Sequence, residues 1–467
     1  MIIDTHAHLD FPEYDADLFE MLHNAKSVGI GHIINVGTDL ESSRRTIELV
    51  NKVNNETGLP EIHASVGIHP NNATSTTDKE FHDLKKLSRH EKVIALGETG
   101  LDYYRSHSNH DDQKGLFKKH IALAIESHLP IIVHNREADE DCLKIIQDYA
   151  HHDIKGVVHC FSSDNDCAKK FLDLGFYISF TGNITFSKAG KLRDTVKFIP
   201  TDRLLIETDS PFLAPQAKRG KRNEPAFLQH IIPFFAECCS LSNDDIDRIT
   251  SLNANELFGI GGARSTEGTI AYTIRNSLYL NITNKCTNDC FFCTRNTNPY
   301  VKGHYLKLNK EPTVEELIAS IGDPSTYDEV VFCGFGEPTE RLDVIKTVAK
   351  YLKDKGVSVR LDTNGLGDLI NNRPICKELK GLIDNICISL NSNLKDQYKE
   401  MCKPSFGDKA YPALLSFIKD AKSCIPNVIA SVVDLPDVDV DACRNIAKDL
   451  GVSFRLRKYD DTGFKNN

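Results

Sequence analysis

Hydrophobic and polar positions alternate along this chain in a repeating way. Short apolar runs are followed by polar residues and then by a longer amphipathic stretch, which is typical of parallel strands joined by helical crossovers. The first half contains eight such runs: Ile2–His6, His32–Val36, Ile62–Gly67, Val93–Gly97, Pro130–His134, Gly156–His159, Phe176–Phe180 and Leu204–Glu207. Eight strand–helix units in about 255 residues predict a (βα)8 TIM barrel, whose functional residues lie at the carboxyl ends of the strands.

A second alternating series follows a glycine-rich segment and indicates a second domain. Residues 259–272 begin with the glycine-rich run 259–268, so they are predicted to form a linker between residues 1–258 and residues 273–467. The later strands are predicted at Leu278–Ile282, Glu329–Cys333, Ser358–Asp362, Asn385–Leu390, Val428–Val433 and Ser453–Arg457. Six units cannot close an eight-stranded barrel, so we expect an open, curved (βα)6 sheet and an α/β fold throughout.

The composition is typical of a globular protein of about two domains, with 467 residues, 40% of them hydrophobic and 26% charged. The first residues carry no basic segment, and no stretch approaches the roughly 18 apolar residues of a membrane span, so we expect a cytoplasmic protein without membrane contact. The net charge of −10 disfavours a surface that coats nucleic acid, but it is compatible with a local basic groove.

Side chains that bind metals fall at the predicted carboxyl ends of five barrel strands. The candidate ligands are His6, His8, Glu98, His134, His159 and Asp209. Imidazoles and carboxylates without thiolates suit Zn²⁺, Mn²⁺ or Mg²⁺, and six ligands are too many for one catalytic ion that keeps an open position. We therefore predict a two-metal centre bridged by Glu98, with Asp209 and Glu207 as further catalytic residues. Glu207 would orient a ligand or the water, or form an ordinary salt bridge.

The first domain closely resembles the TatD family of metal-dependent deoxyribonucleases over about residues 1–258. The resemblance rests on the motifs DTHAHLD (4–10), GETGLDY (97–103), HNREA (134–138), HCF (159–161) and ETDSPFLAP (207–215). It implies an amidohydrolase-type TIM barrel that cuts phosphodiesters with two divalent ions, so that the substrate would be nucleic acid, with DNA the first expectation. Each of the six candidate ligands matches a metal ligand of the family.

A basic loop after the eighth predicted strand also matches the family. Arg219, Lys221 and Arg222 belong to the run RGKRNEP (219–225), and a loop at this end of a barrel is a place where phosphate binding is expected. The alternative for these residues is a solvated run of charges.

Three of the fourteen cysteines, Cys286, Cys290 and Cys293, have C-x3-C-x2-C spacing after an apolar strand. Structural zinc sites close with four ligands, whereas a [4Fe–4S] cluster held by three cysteines leaves one iron open for a substrate or cofactor. The spacing favours such a cluster over an incomplete zinc site or three buried thiols. Other cysteines lack ligand spacing and are predicted to be reduced core residues: Cys238, Cys239, Cys376, Cys387, Cys402, Cys424 and Cys443.

The cysteine triad, with Phe292 before its last member, resembles the radical S-adenosylmethionine (SAM) superfamily. The run CGFGEPT (333–339) is similar to the G-G-E-P motif of that superfamily, which holds the SAM amino group. Gly336 and Glu337 match the motif directly, and Gly334 matches it loosely because Phe335 interrupts the pair.

Further polar residues stand where members of the superfamily contact SAM, at the ends of the next two strands. These are Asn364, Ser389 and Asn391, for which turn or helix-cap roles are the alternative. The resemblance implies that SAM binds the open iron. A donor such as flavodoxin or ferredoxin would reduce the cluster, which would then cleave SAM to a 5′-deoxyadenosyl radical. The substrate of that radical does not follow from the sequence.

The leading hypothesis is a bifunctional enzyme in which a divalent-metal phosphodiesterase is fused to a radical SAM domain. A second hypothesis keeps the metal centre and changes the substrate to a small amide, ester or acyl group, since one metal cage serves many hydrolases. A third hypothesis makes the second domain an iron–sulfur sensing module without turnover.

Overall fold

The computed structural model describes residues 1–105, 107–262, 265–296 and 298–459. The chain divides into two compact units, residues 1–263 and 264–467. Ala263 and Arg264 fall in the predicted linker and lie outside the described residues. The end of that predicted linker needs correction, because residues from Ala271 onward already form a strand that pairs with the next strand of the second unit.

The first unit is a (βα)8 barrel, as predicted. Its strands are β1 (Ile2–Ala7), β2 (Ile30–Val36), β3 (Glu61–Val66), β4 (Val93–Asp102), β5 (Ile131–Arg136), β6 (Gly156–Val158), β7 (Tyr177–Phe180) and β8 (Leu204–Ile206). They pair in sequence order, and every pair is parallel. A parallel bridge between Ala7 and Ser210 joins the two ends of the sheet, and the Asp209 amide donates to the His6 carbonyl at 2.9 Å.

Helices surround this sheet and also close one end of it. They are α1 (Leu18–Ser27), α2 (Leu40–Val53), α3 (Asp78–Leu87), α4 (His110–Ser127), α5 (Asp139–Asp148), α6 (Asn165–Asp173), α7 (Gly190–Phe198), α8 (Ile232–Cys239) and α9 (Asn243–Phe258). Leu257 and Phe258 of α9 pack with Ile3 and Ile34, which point into the barrel. The amino-terminal end of the barrel is therefore covered, and the carboxyl ends of the strands remain for the active centre.

The second unit is an open sheet of six parallel strands with one antiparallel strand added at its edge. Its strands are β9 (Ala271–Ile274), β10 (Ser277–Asn281), β11 (Tyr300–Val301), β12 (His304–Tyr305), β13 (Glu329–Cys333), β14 (Val359–Thr363), β15 (Asn385–Ser389), β16 (Asn427–Asp434) and β17 (Ser453–Lys458). The order in the sheet is β17-β16-β15-β14-β13-β10-β9, and β11 and β12 form a separate small hairpin. All six predicted strands are present, whereas β9 and the hairpin were not predicted.

The helices of the second unit are α10 (Val314–Ile321), α11 (Leu342–Asp354), α12 (Gly367–Asn371), α13 (Cys376–Leu379), α14 (Lys395–Cys402), α15 (Ala410–Cys424) and α16 (Val440–Asp449). One hydrophobic core contains the buried faces of these helices and the outward-facing residues of the strands, such as Leu280, Phe332 and Leu361. The alternate strand residues face the concave side, which is more polar. Among the described residues, no helix has the length and apolar character that a membrane crossing requires.

The capping box of α9 gives a test of how the closed end of the barrel is held. The Ser242 hydroxyl accepts a hydrogen bond from the Asp245 amide, and the Asp245 carboxylate accepts one from the Ser242 amide, each at 3.1 Å. Ser242→Ala should destabilise the first unit by about 1 kcal/mol, whereas Ser242→Thr keeps the hydroxyl and should cost less. Denaturant titration of both variants checks this. If Ser242→Ala and Ser242→Thr lower the stability equally, the capping hydroxyl does not contribute to it.

Candidate metal centre and cluster site

The six predicted metal ligands of the first unit meet at the carboxyl end of the barrel. His6 lies on β1 and His8 just after it, Glu98 lies on β4, and His134 lies on β5. His159 follows β6 and Asp209 follows β8. All are largely buried, and the His6 imidazole is fully enclosed.

Glu98 lies between two pairs of histidines, and each of its oxygens faces one pair. Oε1 is 2.6 Å from Nδ1 of His134 and 2.7 Å from Nε2 of His159. Oε2 is 3.6 Å from Nε2 of His6 and 3.7 Å from Nε2 of His8. A carboxylate in this position can bridge two metal ions.

Asp209 completes the group around the first histidine pair. Its Oδ1 is 3.7 Å from Nε2 of His6 and 3.4 Å from Nε2 of His8. The ligand atoms of His6, His8 and Asp209 all lie within 4.8 Å of one another, as do those of His6, Glu98 and His159. The donors therefore form two overlapping groups that share His6, which fits two neighbouring divalent ions.

The buried charges of this centre stabilise one another. Burial alone would raise the pKa of Glu98, but the neighbouring His159 and His69 hold that pKa well below its usual value. Burial alone would lower the pKa of the His8 imidazole, but its hydrogen bond to Asp209 raises that pKa to about 8. Since buried charges are normally paired or bound to metals, the donor set suits divalent cations.

Outer partners fix the orientation of the ligand rings. The His8 Nδ1 lies 2.8 Å from the Val36 carbonyl oxygen, which leaves Nε2 facing the centre. Glu207 accepts a hydrogen bond of 2.7 Å from the Cys160 amide, and the same oxygen is 3.4 Å from Nδ1 of His159. The structure thus places Glu207 behind His159, where it can orient that ligand.

Two residues of the centre were missed in the sequence. His69 follows β3, and its Nε2 is 3.5 Å from Oε1 of Glu98. Asp102 ends β4, and its Oδ2 is 3.4 Å from Nε2 of His134. The signal that could have found both is their place at strand ends. Burial lowers the pKa of His69 to about 3, so this ring is neutral at physiological pH.

Only part of the predicted phosphate loop is exposed to solvent. Arg219 and Lys221 are exposed, but Arg222 makes a bidentate ion pair with Asp17, at 2.8 and 2.6 Å. The Arg222 guanidinium also lies 4.4 Å from the centre of the Tyr14 ring. Arg222 is therefore already bound within the barrel, and two of the three predicted cations remain exposed.

Aromatic side chains flank the metal centre on two sides. Phe11 stacks on the His8 ring with centroids 5.0 Å apart, and Phe212, which is 46% exposed, lies edge-on to Phe11 at 5.9 Å. Tyr104 is 58% exposed, and its ring centre is 4.1 Å from the Arg136 guanidinium. The Tyr104 amide donates to Asp102, which ties this aromatic pair to the ligand His134.

The three motif cysteines of the second unit lie in the loop that follows β10, and they form no disulfide. The three residues are half-buried, and a [4Fe–4S] cluster held by three cysteines would leave one iron open.

The cluster loop is fastened to the end of α14. The Asp289 amide donates to the Cys402 carbonyl at 3.0 Å, and the Phe291 amide donates to the Met401 carbonyl at 3.2 Å. The Cys290 thiol points to the same Cys402 carbonyl at 3.8 Å. Cys402 was predicted to be an ordinary core residue, and it is buried, but it also borders the cluster loop.

The thiols of the triad are poorly ionised without a metal. Burial raises the pKa of Cys286 to about 12 and also raises that of Cys293. For Cys290, interaction with Cys402 comes first and burial second, and both raise the pKa. Iron would supply the charge that stabilises three thiolates in this pocket.

The GFGEP loop packs directly against the start of the cluster loop. A side chain on Gly336 would overlap the Lys285 carbonyl, and one on Gly334 would overlap Asn281. Glu337 is buried, and its amide donates to the Lys285 carbonyl at 2.7 Å. Glycines at these positions therefore allow two backbone segments to approach closely.

The Glu337 carboxylate connects this loop to the end of β14. It accepts hydrogen bonds from the hydroxyls of Thr339 and Thr363 and from the Asn364 amide, each at 2.7 Å. The Asn364 side chain in turn donates to the Thr287 hydroxyl at 3.1 Å, beside Cys286. Glu337 and Asn364 are thus brought together at the cluster loop.

The other predicted SAM contacts surround the same region. Ser389 accepts a hydrogen bond of 3.3 Å from Arg457, and Phe292 is buried in the core. Asn391 lies 3.7 Å from the Cys402 sulfur through its Nδ2. In the described part of the chain, Oδ1 of Asn391 and Oδ1 of Asn288 are buried without hydrogen-bond partners, which fits a pocket that receives a polar cofactor.

The comparisons with known proteins agree with this division. Residues 3–259 match the model of the TatD-related DNase family, and residues 280–450 match the model of the radical SAM superfamily. The first unit is 42% identical over 260 residues to an uncharacterized metal-dependent hydrolase of Bacillus subtilis, YabD, covering 56% of this chain and 100% of that protein. It is 32% identical over 267 residues to a 3′–5′ ssDNA/RNA exonuclease, TatD, of Erwinia amylovora, covering 56% and 100%.

A solved structure has the same barrel. YjjV, a TatD homologue from Escherichia coli, superposes with a TM-score of 0.52 and 29% sequence identity. The match covers 56% of this chain and 98% of that chain. The similarity to YjjV is therefore confined to the first unit.

The affinity for Mn²⁺ can distinguish a carboxylate that bridges two ions from a carboxylate that only orients a histidine ligand. Glu207→Gln leaves all ligands in place and should weaken Mn²⁺ binding by about 10- to 100-fold. Glu98→Gln removes the shared carboxylate and should weaken binding more, at both positions. Isothermal titration of metal-free protein with Mn²⁺ measures this, and Glu140→Gln, at an exposed position of α5, is the matched control. Unchanged stoichiometry and affinity in Glu98→Gln would contradict the bridge.

Proposed function

We propose that this chain, which belongs to the TatD-related DNase family over residues 3–259 and matches the radical SAM superfamily model over residues 280–450, is a bifunctional enzyme. The first unit would be a divalent-metal phosphodiesterase that acts on nucleic acid. The second unit would hold a [4Fe–4S] cluster and SAM and perform radical chemistry.

The position of the Glu98 carboxylate between two histidine pairs carries the hydrolase proposal. When two divalent ions are bound there, they supply Lewis-acid activation of a water and neutralise charge on a phosphate. The chain's own contribution is to fix the donors: Glu98 sets the spacing of the two sites, Asp209 completes one of them, and Glu207 holds the His159 ring.

The aromatic side chains beside the centre favour an unpaired nucleic-acid strand. Exposed Phe212 and Tyr104 can stack on splayed bases, and Arg136 adds a cation next to Tyr104. Exposed Arg219 and Lys221 can contact phosphates. The exonuclease relative, whose name specifies single-stranded DNA and RNA, supports the same substrate class.

In the second unit, the residues proposed to hold the cluster are Cys286, Cys290 and Cys293. A reduced cluster with SAM supplies a carbon radical for hydrogen abstraction. Glu337 would hold the glycine-rich loop against the cluster loop, since its carboxylate accepts four hydrogen bonds from the end of β14 and from its own loop. An electron donor of the flavodoxin or ferredoxin type would be needed.

Paired variants test whether the two activities are separate. Changing both His134 and Asp209 to Ala removes one ligand from each metal group, so degradation of single-stranded DNA should fall by at least about 100-fold. The same variant should still release 5′-deoxyadenosine from SAM under reducing, anaerobic conditions. Cys290→Ala should show the reverse. Wild-type nuclease activity in the double variant would exclude the proposed hydrolytic centre.

Charge reversal in the basic loop tests the substrate. Arg219→Glu with Lys221→Glu should raise KM for single-stranded DNA and reduce its salt dependence, by about 0.7 in log–log slope for each phosphate that the loop no longer binds. Arg222 is left intact because its pair with Asp17 is structural. The control is Lys79→Glu with Lys118→Glu, at exposed positions of α3 and α4. It makes the same change in net charge and should leave KM unchanged. A similar KM in both double variants would argue for an uncharged substrate.

A further inference from the structure

A second group of metal-ligand side chains lies at the opposite end of the first barrel. His32 is near the start of β2, and Glu61 and His63 are at the start of β3. His32 and Glu61 are register partners in the sheet, and His63 is two residues further on, so all three side chains point to the same face. We propose that His32, Glu61 and His63 bind a divalent cation.

The ligand atoms of this group are as close as those of the active centre. Nδ1 of His32 is 3.0 Å from Nε2 of His63 and 3.5 Å from Oε2 of Glu61. The active-centre pairs have similar separations, 3.2 Å for His6 with His8 and 3.1 Å for His134 with His159. All three ligand atoms of the new group fall within 4.8 Å of one another.

The site is separate from the active centre. The Val36 carbonyl, which holds the His8 ring, is four residues beyond His32 on β2, so it lies about 13 Å further along the strand. Ile34 lies between them and packs in the interior of the barrel with Leu257 and Phe258. A cation at His32 would therefore not share ligands with the catalytic pair.

A simple hydrogen bond between two histidine rings is the competing explanation. Such a pair needs one neutral donor and one neutral acceptor, and it gives no reason for a carboxylate at the same point. Burial lowers the pKa of both rings, that of His63 to about 4, and Lys92 near His63 and Lys26 near His32 act in the same direction, whereas Glu61 raises the pKa of His32. The Glu61 carboxylate instead completes a set of three ligand atoms that all lie within 4.8 Å of one another, which a simple histidine pair does not require.

The donor set indicates the class of ion. Two imidazoles and one carboxylate suit Zn²⁺ or a similar late first-row divalent ion, and they leave a fourth position for water. The Glu61 side chain is 56% exposed and the His32 side chain 12% exposed, so water can reach the site. The bound ion would link β2 to β3 at the closed end of the barrel and stabilise that end.

Zinc stoichiometry tests the proposal on the full chain with its cluster reconstituted. Equilibrium dialysis against Zn²⁺, followed by elemental analysis, should show one zinc fewer in His63→Ala and in Glu61→Ala than in wild type. The nuclease activity with Mn²⁺ should be unchanged in both, since neither residue contacts the active centre. His82→Ala, an exposed histidine on α3 outside any such group, should bind as much zinc as wild type.

Equal zinc content in wild type and in both variants would overturn the proposal. Diffraction from zinc-soaked wild-type crystals at the zinc absorption edge gives an answer even if the variants misfold. An anomalous peak between His32 and His63 supports the site, and peaks confined to the active centre overturn it.

Discussion

The first unit depends on one buried interaction, the contact of the Glu98 carboxylate with five imidazoles. A buried carboxylate is costly unless it is paired or bound to a metal, and here Oε1 faces three ring nitrogens and Oε2 faces two. The barrel makes this arrangement possible because parallel strands end at one rim, so that residues far apart in sequence meet there. Gly97 contributes by letting β4 approach β5, since a side chain at that position would overlap the backbone of Ile132. The fold thus supplies donors whose charges balance one another and suit two cations.

In the second unit, too, ligand groups that are costly to ionise in the protein suit a metal, but here they are thiols, which are softer ligands than imidazoles and carboxylates. Three half-buried thiols whose pKa is raised need a metal to become thiolates, and the surrounding backbone holds their loop in place through α14. Glu337 is the counterpart of Glu98 in one respect, because its carboxylate joins elements that are distant in sequence. Its hydrogen bonds reach Thr363 and Asn364 at the end of β14, so the glycine-rich loop, the cluster loop and the strand form one connected edge. Beside this edge, the buried Oδ1 atoms of Asn288 and Asn391 lack hydrogen-bond partners among the described residues.

Much of this was predictable from the sequence because strand ends carry the chemistry. All fourteen predicted strands are present, and the six residues predicted to bind metal lie together at the carboxyl end of the barrel. The features that the sequence did not predict have physical explanations. His69 belongs to a polar turn with no periodic signal, and the structure commits Arg222 to Asp17, a partner 205 residues away in sequence. β9 has only four residues, three of them half-buried, so its apolar signal is weak. The proximity of Cys402 to the cluster loop depends on how α14 packs, which spacing along the chain does not encode.

The claim that two divalent ions share Glu98 is tested most directly by a crystal structure of the Mn²⁺-loaded protein. Data collected at the manganese edge should show two anomalous peaks at the carboxyl end of the first barrel, about 3.5–4 Å apart, with one oxygen of Glu98 directed at each. One peak should lie beside His6, His8 and Asp209, and the other beside His134 and His159. A single peak at full occupancy, or two peaks with Glu98 bound to only one of them, would contradict the account.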